Sequence, residues 1–113
     1  RQRQMCIRDS HDGEKNIAVE KIWDAFERMK TYYLPELDKR KSAEKIVDDM
    51  SQGNNDYKEM FDNEFLALTK IGNNFRIRHH EMNKVDITDN RQYEYFYKRC
   101  FALVSVAIQY LER

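Results

Sequence analysis

The last quarter of the chain returns an apolar residue every three or four positions without a break: Tyr93, Phe96, Tyr97, Cys100, Leu103, Val104, Ala107, Ile108 and Leu111. That is the interval at which an α-helix brings side chains back to one face. The stripe is wider than a helix resting on one neighbour requires. It predicts a helix over about residues 90–112 packed against at least two others. Asp89 and Gln92 supply a capping-box variant just ahead of it.

The rest of the chain offers the partners. One proline and three glycines are too few for a turn-rich β-sandwich or barrel, while 41% apolar residues supply a real interior. At 113 residues the chain makes one domain. From Asp12, an expected N-cap, a first helix is predicted to about Tyr33. Its apolar face is Ala18, Ile22, Ala25, Phe26, Met29 and Tyr33, begun by Ile17 and widened by Trp23. Pro35 stops it, because the residue before a proline is pushed out of the α region. Residues 36–41 read as a charge-dense connector, after which Ser42 caps a short helix with Ala43, Ile46, Val47 and Met50 inward. Residues 51–55 are a loop by their turn residues. Asp56 with Glu59 then opens a helix whose face is Tyr57, Met60, Phe61, Phe65, Leu68 and Ile71, with a stop at Gly72 or Asn73. Residues 85–88 read as loop. The expected fold is therefore all-α, an up-and-down bundle of four principal helices.

Residues 1–11 show no periodicity and read as a non-native or disordered leader; residues 12–113 form the domain. Without that leader the charge falls from zero to about −2, and the domain can be the C-terminal part of a longer protein. Net neutrality gives no blanket affinity for nucleic acid or anionic membrane, so any such contact has to be local. The longest apolar run, Phe101 to Ile108, is too short to span a bilayer, and no membrane partner is expected. Cys6 and Cys100 lack zinc-ligand or redox spacing, which suits a reducing, cytoplasmic setting and a buried Cys100.

Chemistry concentrates in Asn73-Asn74-Phe75-Arg76-Ile77-Arg78-His79-His80-Glu81. Were residues 75–81 helical, Arg76 and His80 would lie one turn apart on one face. Ile77 would pack inward and Glu81 would orient an imidazole. Internal transesterification of RNA needs a base for the 2′-hydroxyl and an acid for the leaving oxygen, and histidine suits both. A guanidinium alongside stabilises the phosphorane. Arg76 and His80 are then the catalytic candidates, with Arg78, His79 and Asn74 binding phosphate and no cofactor. The bland alternative remains open: the same residues satisfy helix-terminal carbonyls and pair with acids such as Asp56, Asp62 or Glu64. A metal site on His79, His80 and Glu81 is disfavoured, since adjacent helical histidines diverge by about 100°. Tyr93, Phe96 and Tyr97 belong to the core stripe, whereas Tyr95 projects elsewhere, towards a dimer or RNA contact. Tyr32 and Tyr33 are read as packing.

Several helices, a final long amphipathic one and an Arg/His cluster ahead of it resemble the HEPN superfamily of prokaryotic abortive-infection and toxin–antitoxin systems. The segment Ala18–Lys30 looks like the first helix of abortive-infection members, and Phe75–Glu81 like a motif of their C-terminal domains. The resemblance implies metal-independent RNA cleavage by a homodimer whose motifs face each other, with an antitoxin or an upstream effector domain as further partners. The family pattern separates an arginine from a histidine by four to six residues, with a polar residue after the arginine. Here Arg76 and His80 are separated by three, and Ile77 takes the polar place. The rival expectation is a non-catalytic helical module that dimerises or docks a partner.

Overall fold

The computed structural model describes residues 2–78 and 80–112, with side chains from Asn16 onward. It is all-α: α1 (Gln2–Lys30), α2 (Lys39–Ser51), α3 (Asn55–Asn74) and α4 (Asn90–Ala107), the last followed by a 3-10 turn at Ile108–Tyr110. The expected four-helix bundle is what forms, and no strand occurs among the described residues, only one isolated parallel bridge between Phe75 and Val85.

The boundaries move for local reasons. α1 begins before Asp12, so that residue is not its N-cap. It closes at Lys30 in tight turns, Thr31 N donating to Arg28 O and Tyr32 N to Met29 O, ahead of a cis Leu34–Pro35 peptide. α2 is capped by Asp38, whose carboxylate accepts from Lys41 N at 2.8 Å, not by Ser42. Ser42 is fully buried and accepts from Tyr33 N instead. α3 is capped by Asn54, whose side chain accepts from the N–H groups of both Asp56 and Tyr57, in place of the Asp56/Glu59 box. The Asp89/Gln92 box on α4 does form. α4 stops short of the expected Glu112, and Ile108 is exposed.

Helix α1 runs against α4 and α2 against α3, and the core lies between the two pairs. Val19, Trp23, Phe26, Leu68 and Cys100 are sealed from solvent there. The buried stripe of α1 is therefore rotated from the one read in the sequence: Val19 and Lys30 are inside, and Ile17 is exposed. Trp23 joins the pairs, its indole N–H donating to Leu68 O at 3.1 Å and its ring meeting Phe96 edge-on. Arg99 of α4 forks onto both oxygens of Glu64 on α3 at 2.9 and 2.8 Å. Residues after α4 are latched to the α1–α2 turn: Tyr32 Oη donates to Glu112 O, Glu112 N donates to Tyr33 Oη, and Lys45 pairs with the Glu112 carboxylate.

Candidate functional site

The Arg/His segment is not a helix. α3 ends at Asn74, with Phe75 in extended conformation as its C-cap. Two main-chain bonds then clasp the chain back on itself, Val85 N donating to Asn74 O and Arg76 N to Val85 O at 2.9 and 2.7 Å. In an extended stretch neighbours point to opposite sides. Ile77 is accordingly sealed in the core, as expected, with Arg76 and Arg78 flanking it at the edge. Burying an isoleucine contributes about 1.5–3 kcal/mol, enough to hold the segment down. The shared helical face expected for Arg76 and His80 does not form, since the described residues between them, Ile77 and Arg78, are not helical.

Each described charge of the segment is engaged inside the fold. Arg76 Nη1 pairs with Asp86 at 3.3 Å, on the strand-like return of the clasp, and its Nη2 meets Met82 Sδ. Arg78 reaches across to α1, its Nε and Nη2 both on Asp24 Oδ1 at 3.2 and 2.6 Å. Burial opposes the Arg78 charge, but the Asp24 bond together with the charges of Asp24, Glu81 and Glu27 outweighs it and raises the pKa. Glu81 takes Lys84 at 2.9 Å, and that ammonium holds its carboxyl below the ordinary range. Glu81 Oε1 is closed off from solvent, 4.0 Å from Arg78 Nη1, with no hydrogen bond among the described residues. Glu81 thus answers first to Lys84, with weaker contributions from the charges of Arg78 and His80. His80 is exposed in a turn, and Asn74 is exposed with its carbonyl spent on Val85. His79 lies outside the described residues.

The acids expected to pair with the segment were Asp56, Asp62 and Glu64; Glu64 instead belongs to Arg99, and Asp24 and Asp86 take the arginines. The C-terminal carbonyl of Gly72 is satisfied by Lys84, the helix-end role foreseen for arginine or histidine. Lys84, Asp24 and Lys30 were missed as site residues. The chain carried one weak signal for them: Lys84 follows Glu81 at the spacing of one turn.

Lys30, Arg78, Glu81 and Lys84 help frame a polar cleft of about 230 Å³ between α1, the end of α3, the start of α2 and the clasp. Lys30 is its deepest charge. It is nearly buried, donates to Thr69 Oγ1 at 2.9 Å, pairs with Glu27 at 3.1 Å and sits over the Phe26 ring. No group of three or more His, Cys, Asp or Glu side chains able to hold a metal occurs among the described residues. None of the described helices is long and apolar enough to cross a membrane. Tyr93, Phe96 and Tyr97 pack against the core, and Tyr95 is exposed, its hydroxyl accepting from Arg99. Compared with known proteins, the chain matches no family model, no curated protein and no solved structure.

Proposed function

We propose that this chain is a non-catalytic helical module that self-associates, with the Arg/His segment serving its architecture. The observation carrying this reading is the internal pairing of Arg76 with Asp86 and of Arg78 with Asp24 on either side of buried Ile77. A guanidinium whose donors already go to a carboxylate offers a phosphate only the donors left over, not a complete fork. Surface for a second copy is present. Tyr57 and Met60, 55% and 50% exposed, stand out on the first turns of α3, where Tyr57 stacks on Phe61. Phe101, also exposed, stacks on Tyr97 at 5.6 Å along α4. Equal numbers of positive and negative residues put no long-range repulsion between copies.

Sedimentation velocity across a hundredfold concentration range tests it. The expected result is a reversible dimer that Met60→Glu dissociates; a strict monomer at every concentration refutes it. A second reading, a HEPN-like defence domain that binds or cuts RNA as a homodimer, draws support from the exposure of His80 beside the Arg78–Glu81 pair. It requires metal-independent RNase activity in the wild type that His80→Ala abolishes while the circular dichroism spectrum is kept. No cleavage of any single-stranded RNA by the dimer leaves the architectural reading standing.

A further inference from the structure

The cleft beneath the clasp holds an excess of positive charge that the neutral chain as a whole does not. Lys30, Lys39, Arg78 and Lys84 line it against two carboxylates, Glu27 and Glu81. Those cations are fixed in place, Lys30 and Lys84 by partners that share the lining and Arg78 by one outside it. Lys30 is fixed by Thr69 and Glu27, Lys84 by the Gly72 carbonyl and Glu81, and Arg78 by Asp24, which does not line the cleft. Lys39 is exposed and pairs more loosely with Glu27, at 3.7 Å. Donors fixed in this way lose little side-chain freedom when an anion arrives. With the Asp24 carboxylate on Arg78 counted, four cations face three carboxylates, and the surplus of one offsets part of the charge of about −1.5 to −2 on a phosphate group at neutral pH.

From this arrangement we infer that the cleft is a binding site for a phosphate group, either the free ion or a small phosphomonoester. Its volume admits the group with a few further atoms, below the roughly 300 Å³ at which drug-sized pockets begin. The charged rim rules out an apolar ligand, for which the lining would have to be mostly aliphatic or aromatic. The inference is independent of self-association, because the α3 and α4 residues proposed for that contact are not among those lining the cleft.

Trp23, the one tryptophan of the chain, lines the cleft and reports on it without labelling. Inorganic phosphate and glycerol 2-phosphate are titrated separately into the full chain at constant ionic strength, with sodium chloride as the reference, following Trp23 emission and the heat of binding. The expected outcome is saturation with phosphate and none with chloride. Lys84→Gln is expected to weaken binding about tenfold, the loss of one charge-assisted contact, while Lys98→Gln on the outer side of α4 leaves it unchanged. Since Lys84 also holds the Gly72 carbonyl, Lys39→Gln serves as a second variant that removes no helix-end contact, with an expected loss of about threefold. Tighter binding of the ester identifies a phosphomonoester as the ligand, and binding of the ion alone identifies free phosphate. Absence of saturable binding, an equal response to chloride, or wild-type affinity in Lys39→Gln overturns the inference.

Discussion

At Gly72 a hydrogen does what no side chain can. A β-carbon there would sit 2.8 Å from Trp23 Nε1 and 2.9 Å from Cδ1, and the indole has nowhere to retreat because it is sealed in the core and bonded to Leu68 O. Gly72→Ala is therefore expected to lower stability by about 1–3 kcal/mol, the cost of overpacking, read as a drop in the urea midpoint. Gly53→Ala is a different case: open space surrounds it, but its φ of +78° is left-handed, so about 1 kcal/mol is expected. The sequence marked Gly72 as a helix stop, whereas α3 runs on to Asn74 and the glycine answers to a residue nearly fifty positions away. Periodicity carries no information about such a contact. Cys100 was legible because it falls on the apolar stripe; burial pushes its thiol up to about 12. In a Cys6→Ser background it should stay unreactive towards a disulfide reagent at pH 8 until the protein unfolds, which absorbance of the released thiolate checks.

Among the elements, helix existence, apolar character and the capped start of α4 were readable, while the starts of α2 and α3 were not. Charge-rich connectors offer several Asx or Ser residues within four positions of one another, and only the backbone geometry chooses between Asp38 and Ser42, or between Asn54 and Asp56. The choice has a measurable consequence: Asn54→Ala is expected to cost about 1 kcal/mol in thermal unfolding, well above Asp56→Ala. The ion pair joining α3 to α4 adds a pH dependence. Arg99 hydrogen-bonds Glu64 and holds its carboxyl below the ordinary value of 4.5. A carboxylate lowered on folding stabilises at pH above its unfolded pKa, and that contribution disappears as pH falls through the folded value. Melting temperature measured from about pH 6 to pH 3 should thus fall less steeply in Glu64→Gln than in the wild type.

Over the whole molecule, the segment richest in chemistry is the one whose local structure was read least well. Arg76 through Glu81 carries a helical spacing of charge, yet burying Ile77 and bonding Val85 on both sides favour an extended crossing over another turn of α3. Both of those forces come from residues distant in sequence or from main-chain pairing, neither visible in a spacing of arginine and histidine. The paired main-chain bonds at Val85 also fix the two ends of the chain between Arg76 and Lys84 side by side, whatever lies between. Contour length in that excursion is thereby uncoupled from the distance between α3 and α4. A guest peptide spliced between Met82 and Asn83, both exposed, would ride on the domain as a graft, adding about 0.6 kcal/mol of closure entropy per doubling of length.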